Sequence, residues 1–291
     1  MQLLQYFADH IVFFLISLFL FGLLIGSFLN VVIYRLPIIL ERSWRDECYS
    51  YLNESPAKES HEKYNLVTPR SRCPHCDHQI TALQNIPVLS FLLLKGRCIS
   101  CKKPISWRYP VIELTTALLG VLVAWHFGVT WQTLAGLILI WTLMALTFID
   151  YDTQLLPDNI TLPLLWVGLF LNLFSTFTSL QSAVIGALAG YLFLWLVFQG
   201  FKLITGKEGM GYGDFKLFAA LGAWLGYEQL PFIILTASVV GAITGIALIL
   251  IFGRDRTVPI PFGPFLCFAG LIGLLWGQHL TNSYLQLLRI S

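Results

Sequence analysis

Stretches of roughly 20 apolar residues, each long enough to cross about 30 Å of bilayer hydrocarbon, recur along the chain and leave few folds open to it. They cover residues 11–33, 110–127, 131–149, 160–177, 183–204, 215–227, 230–252 and 262–280. Lipid offers no partner for backbone polar groups, so a spanning segment must be a helix or part of a closed barrel, and no barrel-like alternation is visible. Hydrophobic residues make up 56% of the 291 and charged residues only 12%, more apolar surface than an aqueous fold of this length can hide. The expected fold class is an all-α integral membrane protein with about eight transmembrane helices. The sixth stretch is short and rich in small residues (Ala219, Ala220, Gly222, Ala223, Gly226), which predicts packing inside the bundle. The first has Asp9 and His10 before it instead of a basic flank and is too long for a signal-peptide core, so it is expected to remain as a helix.

Charge sets the orientation. Twelve of the 18 Lys and Arg residues fall between Arg35 and Arg108, which assigns that segment to the cytoplasm. Threading eight spans from there puts Asp150, Lys202, Lys207, Asp214, Lys216, Arg254 and Arg256 on the same side, and Arg289 on the other. A net charge of +2 gives no basic excess, and no nucleic-acid partner is expected. Nothing in the sequence specifies an oligomeric state. Residues 41–63 are polar, mixed in charge and without helical or strand period, and read as a surface insertion.

The loop from Arg35 to Arg108 is the longest non-apolar stretch. Cys73-Pro74-His75-Cys76 and Cys98-Ile99-Ser100-Cys101 are two Cys-x-x-Cys knuckles with the spacing of a four-cysteine zinc ribbon. Disulfides need an oxidising compartment, which a cytoplasmic loop lacks; a redox role for the pairs is the main competing reading. Four thiolates close a zinc shell, so the metal is expected to be structural, stapling a small zinc-ribbon-like loop domain. His75 and His78 are alternative ligands that a complete thiolate set does not need. Cys48 and Cys267 read as a free thiol and a small apolar residue.

Charge at membrane depth is costly and usually functional. Two aspartates stand on the rims of apolar segments: Asp150, in Thr147-Phe148-Ile149-Asp150-Tyr151-Asp152, and Asp214, in Gly211-Tyr212-Gly213-Asp214. Two carboxylates brought together hold one proton between them, so that one activates water while the other polarises a carbonyl, which is aspartic-protease chemistry. Asp152 competes with Asp150 for one role, although it points about 200° away if the helix continues. Asp158 follows Pro157 and is expected to cap the next helix. Asp214 alone can also be read as a helix cap. The nearby glycines do not make a phosphate loop, because no strand precedes them and the Gly-Lys-Ser/Thr ending is missing.

Gly-Tyr-Gly-Asp at 211–214, with an aspartate pair and Leu155-Leu156-Pro157-Asp158 about 60 residues upstream, resembles the GxGD membrane aspartic peptidases, in particular the bacterial type IV prepilin peptidases. Residues 26–37 (Gly-Ser-Phe-Leu-Asn-Val-Val-Ile-Tyr-Arg-Leu-Pro), the double Cys-x-x-Cys loop and residues 108–114 resemble the long, bifunctional members of that family. The resemblance implies a bacterial inner-membrane enzyme that removes the leader of prepilins and pseudopilins after a glycine, on the cytoplasmic face. It also implies methylation of the new terminal residue, usually Phe, from S-adenosylmethionine. By motif position it assigns Asp150 and Asp214 to the protease. It gives three regions: a first helix (1–34), a loop domain that binds zinc and takes part in methylation (35–109), and a peptidase membrane domain (110–291). Gly96 and Arg97, beside the second knuckle, are the candidates for the methyl-donor site, against a plain turn; no soluble cofactor-binding fingerprint is present.

Three other classes compete. A proton-coupled transporter would use the same carboxylates as relays but calls for inverted repeats. A signal-peptide-peptidase-like intramembrane protease shares the glycine–aspartate motif and lacks a zinc loop. A scaffold of a secretion assembly would need no carboxylate pair.

Overall fold

The computed structural model describes residues 2–52, 64–253, 255 and 259–287. Lys58, Lys63, Arg254, Arg256 and Arg289, used to orient the chain, lie outside the described residues, as does the 53–63 part of the predicted insertion. The described chain is helical outside the 64–107 stretch, which is mostly loop and turn with two isolated β-bridges, and short connections between helices; it forms two compact units, Met1–Val129 and Thr130–Ser291.

In the first unit, α1 (Gln2–Asp9) leads into α2 (Ile11–Leu52), and α3 (Leu89–Leu93) precedes α4 (Arg108–Phe127). Gly22 and Gly26, one turn apart on α2, lie against Ala117 and Glu113 of α4. A Cβ on either would come within 2.7 Å or 2.6 Å of a Cα on the other helix, so this small-xxx-small pair is what lets the backbones meet. The surface-insertion reading fails for residues 41–52. They continue α2 as helix, with Pro37 inside it and an Arg45–Glu41 ion pair of 2.9 Å one turn apart. Forty-two residues make a helix of about 63 Å, twice the hydrocarbon thickness, so its polar second half extends past the membrane. Helical i,i+4 pairing of charged residues carries no apolar period, which is why the segment looked irregular.

The second unit holds α5 (Trp131–Thr153), α6 (Asp158–Asn172), α7 (Leu180–Thr205), α8 (Tyr212–Leu225), α9 (Leu230–Phe252) and α10 (Gly263–Leu287). At its centre is α8, buried from Asp214 to Leu225 except at Lys216. Gly186 and Gly190 of α7 abut the carbonyls of Gly222 and Phe218, another small-residue seam. On the other side, Trp224 Nε1 donates to Leu164 O at 2.7 Å.

Among the described residues, six helices are long and apolar enough to cross a membrane: Ile11–Leu52, Arg108–Phe127, Trp131–Thr153, Leu180–Thr205, Tyr227–Ile251 and Gly263–Thr281. The other two expected spans form shorter helices. With 15 and 14 residues, α6 and α8 are roughly 22 Å long, less than the hydrocarbon thickness. Side-chain chemistry ends α6 early. Asn172 donates to Ala223 O and Trp224 O at 2.8 and 3.0 Å and accepts from Phe177 N and Thr178 N, turning the chain where hydropathy alone carries the helix on to residue 177. Gly226, with φ +88°, stops α8.

Candidate functional site

The carboxylate of Asp150 sits in the last turn of α5, where unpaired carbonyls make a negative charge unwelcome. The start of α10 offsets this. The Gly263 N–H, an orphan donor at a helix N-terminus, reaches Asp150 Oδ2 at 3.0 Å. Asp150 is buried, whereas Asp152, two residues on, is exposed.

Asp214 lies in the first turn of α8, 7% exposed, with Gly211 as the N-cap residue and no side-chain cap. Its Oδ1 is buried with no hydrogen-bond partner, although buried polar atoms are normally paired. The start of its helix and that of α10, whose Gly263 holds Asp150, close on one side chain, Leu156. A buried carboxylate oxygen without a protein donor is an acceptor open to a proton or a water.

Leu156 sets how closely these segments approach. A Cβ on Gly213 would stand 2.7 Å from Leu156 Cβ, and one on Gly263 3.2 Å from Leu156 Cδ1, so both glycines close on the same side chain. The neighbouring Asp158 is not a cap. Pro157 occupies that position without a capping bond, and the Asp158 carboxylate instead pairs with Lys216 of α8 at 2.6 Å. Cys267, one turn after Gly263 on α10, is buried. Gly263 escaped the sequence reading; its only local signal is Pro261-Phe262-Gly263-Pro264 at the start of α10, whereas Cys267 is the small buried residue expected.

In the first unit the four loop cysteines converge, with all Sγ atoms within 4.8 Å of one another. Cys73–Cys101 and Cys76–Cys98 sulfur separations are 3.8 and 4.0 Å, near the ~3.8 Å edge of a tetrahedron with 2.3 Å metal–sulfur bonds and about twice a disulfide bond length. The two knuckles repeat one fold. Asp77 N bonds Cys73 O and Lys102 N bonds Cys98 O, each at 3.0 Å, and Asp77 and Lys102 share positive φ values of 53° and 59°. Backbone N–H groups of Cys101 and Ser100 bring the Cys98 thiol down to about 6, whereas burial and the neighbouring thiols push Cys101 up to about 11, as expected where sulfurs crowd together and cannot all ionise without a cation. His75 and His78 are not part of the cluster, so thiolates complete the set. Cys48 is exposed on α2.

Gly96, just before the second of these turns, has φ +66°, and a Cβ there would lie 3.0 Å from Phe91 Cζ. Beside it, a cleft of about 520 Å³ is lined by Leu93, Leu94, Lys95, Arg97, Cys98, Ile99 and Lys102.

Residues 20–127 match the bacterial peptidase A24 N-terminal domain, and residues 137–246, which hold both buried aspartates, match the type IV leader peptidase family. A prepilin leader peptidase/N-methyltransferase of Aeromonas hydrophila is 61% identical over 92% of this chain and 92% of its own length. The chain belongs to the type IV leader peptidase family. A family member of the same description from Pseudomonas aeruginosa is 54% identical over 98% of each chain, and one from Neisseria gonorrhoeae 53% over 86% of each. No solved structure matches this family member.

Proposed function

We propose that this chain is a bifunctional membrane enzyme that removes the leader of prepilins and pseudopilins after a glycine and N-methylates the terminus thus exposed. The observation that carries the reading is the buried carboxylate pair, Asp150 and Asp214, in a chain that aligns end to end with relatives named for both activities.

Asp150 and Asp214 are the proteolytic pair. Asp150, already accepting the Gly263 N–H, is the ionised member, because a donated hydrogen bond favours the charged form. It takes a proton from water as the water oxygen attacks the scissile carbonyl carbon, and Asp214 gives its proton to the carbonyl oxygen. Collapse of the tetrahedral intermediate breaks the C–N bond, with a proton passing to the departing amine. No covalent enzyme intermediate forms. The substrate's apolar segment lies along the bundle, so the bilayer holds the scissile bond at one depth.

The helices α6 and α8 complete an eight-pass arrangement as short inner spans, supported by the burial of α8. The basic loop and both carboxylates then face the cytoplasm, with the enzyme in the bacterial inner membrane. Its three regions are the first helix, the 35–109 loop domain and the 110–291 peptidase domain. Zinc is the metal for Cys73, Cys76, Cys98 and Cys101; the closed thiolate set supports a structural ion.

S-adenosylmethionine supplies the methyl group when bound. Gly96 and Arg97 would contribute its site: Gly96 gives the turn its conformation, Arg97 would pair with the donor's carboxylate, and Ile99 would offer an apolar wall. Purified enzyme incubated with a prepilin and labelled S-adenosylmethionine tests both halves, scoring leader loss and methyl incorporation separately. Both are expected. Absence of leader loss from a protein that is folded in lipid would overturn the protease reading, and leader loss without label the methylation reading.

A further inference from the structure

We propose that residues 86–94, with α3 at their centre, lie in the headgroup–hydrocarbon boundary of the bilayer, with anionic phospholipid as the occupant of α3's outer face. The inference rests on α4 crossing the membrane and is independent of either chemistry.

The sidedness of α3 is the first reason. Phe91 turns inward, 8% exposed, against Gly96 and 4.7 Å from the Trp107 ring. Leu89, Leu92 and Leu93 point away, 50%, 61% and 74% exposed. Three leucines on one short helix have no reason to face water, and five residues are too few to span.

Depth is the second. Val88, the residue before α3, donates its N–H to Glu113 Oε2 at 2.7 Å. Glu113 is five residues into α4, so the bond pins the start of α3 about 7 Å beyond the beginning of a membrane-length helix. At that level α4 is itself apolar on its exposed side, through Val111 and Leu114. The contact also accounts for a buried Glu113, whose carboxylate holds Val88 at φ +58°, a conformation unfavourable for a β-branched residue.

Charge is the third. Lys95, Lys102 and Lys103 follow α3 and are exposed, matching an anionic leaflet, and Trp107 is exposed at the mouth of α4 where interfacial tryptophans sit. The leucine face is thus continuous with a lipid-facing helix and rimmed by cations.

Photocrosslinking tests this in the full chain, reconstituted in phosphatidylethanolamine and phosphatidylglycerol vesicles, with p-benzoyl-phenylalanine replacing Leu89, Leu92, Leu118 on α4, or Tyr51, exposed on the polar second half of α2. Phospholipid-mass adducts are expected at Leu89 and Leu92 within about threefold of the Leu118 yield, and at least about tenfold above Tyr51. Replacing phosphatidylglycerol by phosphatidylcholine should lower the α3 yield and leave Leu118 unchanged. Glu113→Ala should lower it too, whereas Glu113→Gln, whose amide oxygen still accepts the Val88 N–H, should retain it. Adducts from α3 to a pilin or to the chain's own residues, a Leu92 yield equal to that of Tyr51, or indifference to the anionic lipid would overturn the proposal.

Discussion

The Gly263 N–H meets Asp150 Oδ2 at 3.0 Å, across 113 residues of sequence, and a Cβ on that glycine would stand 2.5 Å from the same oxygen. Gly263→Ala therefore pushes the carboxylate aside without removing it. Leader cleavage should fall about a hundredfold, since an ångström of misplacement in a reacting group costs that much. Methyl transfer to a synthetic peptide carrying the mature pilin terminus should be unchanged, and cleavage at the native rate would show that this contact does not serve the proposed pair.

Asp150→Asn and Asp214→Asn should each lower cleavage by at least about three orders of magnitude, because paired roles fail together. Asp152 is exposed, and Asp152→Asn should stay active. Quantifying mature pilin on gels checks all three, and the reverse pattern would move the role to Asp152.

One zinc per chain is expected on metal analysis. Cys73→Ser combined with Cys98→Ser removes one thiolate from each knuckle and should release the ion and expose the loop to protease. Protein with four alkylatable thiols and no bound zinc would rule the site out.

Gly96 holds φ +66° with Phe91 3.0 Å from where a Cβ would be, so Gly96→Glu strains the turn and displaces Phe91. Methylation should fall more than cleavage. Mass spectrometry of mature pilin reads this directly, as an unmethylated terminus is lighter by one methylene; parallel loss of both activities would place the methyl-donor site elsewhere.

Asn172→Ala removes a wholly buried amide that makes four hydrogen bonds and leaves the carbonyls of Ala223 and Trp224 without it. The cost should be about 3 kcal/mol, measured as lowered thermal stability in detergent.

The helical membrane fold and the cysteine cluster were legible because each rests on a local pattern: apolar length for the helices, Cys-x-x-Cys spacing for the ligands. Both aspartates were legible as charges at the rims of apolar segments, and their burial on the second unit is where the structure puts them. What was misread has a common cause. Asn172 ends α6 through carbonyls 51 and 52 residues away, Asp158 pairs with Lys216 58 residues away instead of capping its own helix, and residues 41–52 extend α2 through i,i+4 contacts that hydropathy does not register.

The sequence by itself determined that this chain lives in a bilayer, that its spans are helices, and which residue types stand ready for metal and proton chemistry. Those properties follow from transfer free energy and ligand type, which belong to each segment alone. Only the tertiary structure decided that Gly263 and Leu156 frame the two carboxylates and that Glu113 ties α3 to the second turn of α4. These depend on close approach of distant backbones at small residues, and a contact of that kind has no signature until the helices are packed.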